Sequence, residues 1–293
     1  MELQDAIAAF DAQLAADGRS PHTRAQYARH AAALGRWLAR TERTTDLAQL
    51  DHRALAAFVA SPEARCRPDG VAKKATSTNA LRTSLRTLFG YLADAGLMPA
   101  NPARLLKRAR CSPPPPRALR EDEERKLLDH LAAEPGDAAR RDEMLVRLML
   151  GAGLRIGAAI GIDIEDLDLP HAEVRIRRDK NDRSTTVLLS PDLVNRLRAF
   201  LAGRRTGPLF ASADGSRITV RHAQRRFAQV VAAARLDPRV SAHACRHTFA
   251  TRLLERTGNL QLVRVAMRHA SIASTVIYAQ TDDAAVRQAL SSR

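Results

Sequence analysis

Two stretches in the first third of the chain carry apolar residues at the period of an α-helix. From Thr23 to about Ala39, Tyr27, Leu34 and Leu38 recur at roughly helical spacing behind a chain break at Ser20-Pro21. From about Thr78 to Asp94, Leu81, Leu85, Leu88 and Leu92 form one stripe, with Ser77 or Thr78 as a suitable cap and Gly96 and Pro99 as stop signals. Arg82 and Arg86 project off that stripe, and Lys73-Lys74 precede it. These four cations suit either a solvated helix face or contact with a polyanion.

The pattern breaks at residues 113–116, four consecutive prolines that no helix interior accepts. The chain therefore reads as a helical domain over residues 1–106, a basic Pro-rich linker over 107–118 and a second domain over 119–293. Lys107, Arg108, Arg110 and Arg117 give the linker four positive charges with no acid between them. Either a solvated spacer or a strap along a phosphate backbone fits that composition.

Beyond the linker the periodicity is mixed. Glu121 to about Leu131 and Glu143 to about Leu150 read as helices, the second apolar enough to be buried. Val174 and Ile176 alternate with charge in a strand over 173–178, and Thr185–Leu189 is a second strand, so Lys180 falls at a hairpin tip. Helical pattern returns at Ala223–Arg235, Thr248–Glu255, Leu260–Arg268 and Asp283–Leu290. The fold class expected is mainly α with a small antiparallel β-sheet.

Composition narrows the function classes. Aromatics are only 4% of the chain, so both cores must be built from Ala, Leu and Val. A formal charge of +15 and a pI near 11.0 point to a polyanionic partner. Of the 47 basic residues only five are lysine, which makes each lysine more worth explaining. Cysteines 66, 111 and 245 are few and far apart, which fits a reducing cytoplasm better than a disulfide framework. Met1–Phe10 carries acids and no sustained apolar core, so no signal peptide is expected, and no run approaches the ~20 apolar residues of a membrane span.

The candidate chemistry lies in the second half: Gly153-Leu154-Arg155-Ile156, then Lys180, then His243-Ala-Cys-Arg246-His247, then His269 nine residues before Tyr278. Such a set can attack a phosphodiester without a metal: tyrosine as nucleophile, cations on the non-bridging oxygens, lysine and histidine moving protons. Gly151 and Gly153 would let the backbone turn tightly, bringing Arg155 in at a helix start. On a helix His243 and Arg246 are i and i+3 and share a face, whereas His247 is expected on another. Histidines 243, 247 and 269 with Cys245 lack the pairings of a zinc site, so no metal is expected. Tyr27 and Tyr91 fall in the N-terminal helices as core residues.

The order and spacing of these residues resemble the tyrosine recombinase (phage integrase) family, especially its compact bacterial Xer-like members. Residues 20–38 and 77–103 likewise resemble the family's core-binding domain, over nearly all of 7–106. Three departures stand out: Ala158 where the family has an acid, Cys245 in place of leucine, and Met267-Arg268 in place of Leu-Gly. The resemblance implies a two-domain clamp on double-stranded DNA, with a helical SAM-like core-binding domain and a mixed catalytic domain. It implies a site-specific recombinase that cleaves through a 3′-phosphotyrosyl intermediate, needs no cofactor or ATP, and acts as a homo-tetramer or a hetero-tetramer with a related recombinase. Tyr278 would be the nucleophile, Arg155, Arg246 and His269 the transition-state donors, His243 a proton shuttle and Lys180 the general acid. Counting back from Arg183 places Arg178 in the lysine's slot, but arginine effectively never releases a proton, which favours Lys180. Lys73, Lys74, Arg82, Arg86, Lys107, Arg108 and Arg110 are the candidate DNA contacts. Family pattern begins within the first ten residues, so no separate arm-binding domain is expected. Two alternatives stand beside this reading: a catalytically impaired DNA-binding accessory protein of the same fold, and a type IB topoisomerase-like relaxase that uses the same chemistry without strand exchange.

Overall fold

The computed structural model describes residues 2–111 apart from 42, 44, 47 and 48, together with 117–177 and 184–267. The chain divides into two compact units, Met1–Pro114 and Pro115–Arg293.

The first unit is helical throughout its regular structure: α1 (Leu3–Ala16), α2 (Pro21–Arg40), α3 (His52–Ala60), α4 (Pro62–Arg65) and α5 (Ala75–Asp94). Ser20 caps α2 by accepting the Thr23 N–H at 3.2 Å, and Pro21 at the first helical position forfeits a donor that had no partner there. The leucine stripe of α5 is buried as its period requires, packing with Leu34, Leu38, Leu55 and Phe58 into one core. Tyr27 and Tyr91 both rest on the Phe10 ring, each with centroids 5.4 Å away, and so belong to this core.

One boundary differs from expectation. Helix α5 starts at Ala75, and neither Ser77 nor Thr78 caps it, because both already lie inside its first turn. Thr78 instead donates back to the Ala75 carbonyl at 3.0 Å. The chain enters this helix already fixed, since Lys73 Nζ donates to the carbonyls of Glu63 and Ala64 at 2.9 and 3.1 Å.

The second unit is built around α7 (Asp137–Ala152), whose apolar face sits at the centre of a core shared with α6 (Glu121–Ala133), α9 (Pro191–Leu201), α10 (Val220–Ala233) and α11 (Ala242–Thr257). After α7 come a five-residue helix, α8 (Ile156–Ile160), and an antiparallel sheet of β1 (Leu167–Asp168), β2 (Glu173–Ile176) and β3 (Thr185–Leu188). Val174 pairs with Leu167 on one side and Val187 on the other, placing one apolar row on the core. The described chain ends with α12 (Leu260–Met267).

Several elements depart from the sequence reading, each for an identifiable reason. Helix α7 begins six residues before Glu143, because polar Arg141 and Asp142 are buried against each other and against Arg226. Gly151 is helical rather than a turn residue; only Gly153 takes the left-handed backbone, at φ 62°. Helix α11 starts at Ala242 rather than Thr248, so the whole His-x-x-Arg-His segment is helical. Helix α9, capped by Ser190 with Pro191 behind it, and the two-residue β1 were not anticipated. The segment Asp283–Leu290 lies outside the described residues. No described helix is long and apolar enough to cross a membrane.

The entry into the second unit depends on one hydroxyl. Thr248, buried on α11, accepts the Leu119 N–H at 2.8 Å and donates to the Ala244 carbonyl at 2.9 Å. Thr248→Val keeps the shape and orphans a buried N–H. We expect a loss of about 1–3 kcal/mol, read as a lower midpoint in chemical unfolding.

Candidate active site

The corner between α7 and α8 is set by Gly153, which ends α7 at positive φ. A side chain there would collide with the Phe249 ring of α11, so the bare α-carbon lets α11 approach the corner. Two residues later Arg155 is the N-cap of α8, in extended backbone (φ −69°, ψ 144°), with its side chain exposed. At five residues α8 contributes little helix dipole, so the positive potential here comes from the arginines themselves.

Arg246 is 5% exposed on α11, and its guanidinium joins α7 to α12. It donates to the Gly153 carbonyl at the end of α7 and, at 2.6 Å, to the carbonyl of Met267 on α12. The Gly153 carbonyl is among those a helix terminus leaves unpaired, and it sits at the negative end of α7. A planar fork with several donors suits this double attachment in a way that a lysine ammonium does not.

His243 occupies the first turn of α11, one turn before Arg246. Burial is the main cause holding its imidazole below the ordinary value of 6.5, followed by the charges of Arg246 and Arg155. All three residues therefore address one locus, and the histidine there stays neutral and able to accept a proton near neutral pH. His247 stands with His243, ring centroids 5.8 Å apart, which corrects the expectation that it lies on a different face: residues i and i+4 share one. Between them Cys245 is fully buried, its thiol pushed up to about 12 by burial.

Lys180, His269 and Tyr278 lie outside the described residues, as does Arg178. Lys180 belongs to the connection that follows the Ile176–Thr185 pairing of β2 and β3. Among the described residues no group of three or more His, Cys, Asp or Glu could hold a metal ion.

Of the candidate DNA contacts, Lys74, Arg86, Lys107, Arg108 and Arg110 are exposed and Arg82 is half-buried. Lys73 already donates to two carbonyls. Arg117, by contrast, is bound within the second unit by Glu123 and, at 2.9 Å, by Asp237, so the linker carries three outward cations rather than four.

One group of residues escaped the sequence reading. Arg217 donates to the Ile160 and Ile162 carbonyls, at 2.5 and 3.0 Å, and pairs with Asp163. Asp163 also meets Arg177 at 3.3 Å, and Arg177 pairs in turn with buried Asp166. This network clasps the C-terminal end of α8, the helix that begins at Arg155. It stands beside Ala158, the position where the resemblance implies an acid. No local pattern joins Arg217 to residue 160, because the contact spans more than fifty residues.

Comparison with known proteins places this architecture. The profile of the phage integrase family matches residues 117–285, and that of the phage integrase N-terminal SAM-like domain matches 7–96. The tyrosine recombinase XerC of Serratia marcescens is 32% identical over 287 residues, covering 96% of this chain and 91% of its own. Among solved structures, the XerH site-specific recombinase bound to a palindromic difH substrate, in a post-cleavage complex, superposes with a TM-score of 0.73 at 21% identity, over 92% of this chain and 79% of that one. The Tn1549 transposon integrase in complex with circular intermediate DNA gives 0.75 at 18% identity, over 99% of both. At these identities the two structures speak for the fold.

Two outcomes follow from the geometry. Gly153→Ala forces a side chain into left-handed backbone, a strain of roughly 1–2 kcal/mol, and drives it into Phe249. It should lower the thermal midpoint and displace Arg155 together. By NMR titration His243 should protonate below 6.5, and Arg155→Gln should move it upward by removing a nearby charge. Because the unfolded chain then binds the proton more readily, His243 favours the folded state fully above 6.5 and progressively less as the pH falls.

Proposed function

The chain belongs to the phage integrase family, and from that premise we propose how it acts as a site-specific tyrosine recombinase on DNA. The Tyr278 phenol oxygen attacks the scissile phosphorus, the bond from phosphorus to the 5′ oxygen breaks, and a 3′-phosphotyrosyl link forms. Lys180 gives its proton to the departing 5′ oxygen. Arg155, Arg246 and His269 stabilise the pentavalent transition state, and neutral His243 shuttles the proton from the phenol. A 5′-hydroxyl of the partner strand then attacks the phosphotyrosine and releases Tyr278. The phosphodiester energy is conserved in the covalent link, so the cycle needs neither ATP nor a metal.

The observation that carries this reading is the gathering of Arg155, His243 and Arg246 at one locus within the stretch that matches the family. The packing of Tyr27 and Tyr91 in the first core supports it, because it leaves Tyr278 as the remaining tyrosine of the sequence to serve as nucleophile. Arg246 supports it in a second way, since its bond to the Met267 carbonyl ties it two residues from His269. We assign residues 1–106 to core binding, 107–118 to a linker and 119–293 to catalysis, each domain offering its own surface to DNA. Strand exchange requires more than one active site, so the working form is a tetramer on DNA, of this chain alone or with a related recombinase.

Covalent capture tests the reading. Protein incubated with nicked, fragmented DNA from its source genome and precipitated with SDS and potassium should carry DNA on Tyr278. Tyr278→Phe should keep duplex affinity and lose the adduct; an adduct that persists removes the nucleophile assignment. On the recovered site, Arg155→Ala or Arg246→Ala should slow cleavage by ~10²–10³ at saturating DNA. Lys180→Ala should regain speed when the 5′ leaving oxygen is replaced by sulfur, which departs without an acid, and the same pair of substrates with Arg178→Ala decides between the two cations.

A further inference from the structure

Asn79 lies one turn into α5 and is 2% exposed, an unusual burial for a primary amide. Its side chain reads both polar groups of one linker residue. Nδ2 donates to the Ala109 carbonyl at 2.8 Å, and Oδ1 accepts the Ala109 N–H at 2.8 Å. The pairing is the one a neighbouring β-strand would make, performed by a single side chain. Nδ2 also reaches Cys111 Sγ at 3.3 Å, and Oδ1 accepts from Arg82 at 3.3 Å. Upstream the chain is anchored again, by buried Ala103 and Leu106.

The consequence is mechanical. Between the Leu106 anchor and the Asn79 clamp, Lys107 and Arg108 have little freedom of backbone, and Arg110 follows immediately. All three point their charge to solvent, and Arg82 is held beside them by the same amide. A basic linker of this composition would ordinarily be a mobile spacer whose ordering opposes binding. Here residues 107–110 are held in place before any partner arrives.

We infer that Asn79 is a positioning residue for DNA: its clamp on Ala109 holds Lys107, Arg108 and Arg110, with Arg82, as a fixed cationic ledge on the first unit that receives one phosphodiester strand. The inference rests on the DNA-recombinase reading and adds to it where the strand lies and what preforms the surface. A phosphate backbone fits because the ledge repeats positive charge along an extended chain and presents no carboxylate of its own between residues 104 and 111. Such contacts are blind to base sequence, so an arbitrary duplex serves as probe.

The test is fluorescence anisotropy of the full chain with a 30-base-pair duplex of arbitrary sequence, titrated at several salt concentrations. Replacing Lys107, Arg108 and Arg110 by Gln should reduce the steepness of log K against log salt by about 2–3 units, at roughly 0.9 per phosphate contact. Asn79→Ala retains every charge, so its slope should match the parent while its affinity falls by ~3–10-fold from the restored freedom of the linker. Ala109→Pro deletes the N–H that Asn79 reads without touching the helical core, and should reproduce that loss even where Asn79→Ala folds poorly. An unchanged slope in the triple variant, or unchanged affinity in Ala109→Pro and a folded Asn79→Ala, overturns the ledge while leaving the recombinase reading in place. Failure of the parent protein to bind duplex at all overturns both.

Discussion

A buried guanidinium is costly unless acceptors fill the approaches to it, and Arg246 meets that demand with the carbonyls of Gly153 on one helix and Met267 on another. The Gly153 carbonyl is where α7 runs out of internal partners, so satisfying the cation and terminating that helix are one event. Much else follows from it. Gly153 must present its carbonyl toward α11, which requires a left-handed backbone and a close pass by Phe249. Arg155 emerges two residues later as a result. His243 is then held below its ordinary protonation range, by desolvation first and by the charges of Arg246 and Arg155 after it.

The same logic shows why net charge is a poor guide to where a polyanion sits. Many arginines of the second unit are engaged with carboxylates: Arg117 with Glu123 and Asp237, Arg141 with Asp142, Arg177 with Asp166, Arg226 with Asp142 and Glu134. Among the described residues of the first unit such pairs are fewer, Arg24 with Asp11 and Arg40 with Glu63, and several cations outside them gather around α5 and the start of the linker. Bidentate geometry lets arginine do both jobs, which composition alone cannot separate.

How much was legible in the chain beforehand divides along a physical line. Period-dependent features were readable: the α5 stripe, the β2–β3 alternation, the helical spacing of His243 and Arg246. What was lost were elements whose polar residues face inward. Helix α7 looked shorter because Arg141 and Asp142 bury each other, and α11 looked shorter because Arg246 is a core residue that carries charge. A reading in which polar means exposed cuts both helices early. His247 was misplaced by the same habit of judging faces piecemeal, since i and i+4 coincide once the helix is continuous. Long-range partners such as Arg217 with Ile160, or Asn79 with Ala109, have no local signal at all; only the folded chain brings them together.

Cys245 sits between His243 and Arg246 and is wholly enclosed, with its thiol far from the ionised, reactive form. A sulfur between two candidate site residues would ordinarily expose the enzyme to peroxide and to alkylating reagents. Here the oxidation ladder has no first rung, because no thiolate forms at any physiological pH. Cys66 and Cys111, only half-buried in the first unit, are the thiols a maleimide reaches. A dye can therefore be placed on this protein through its native sulfurs, reporting from the unit that carries no proposed chemistry and leaving α11 unmarked.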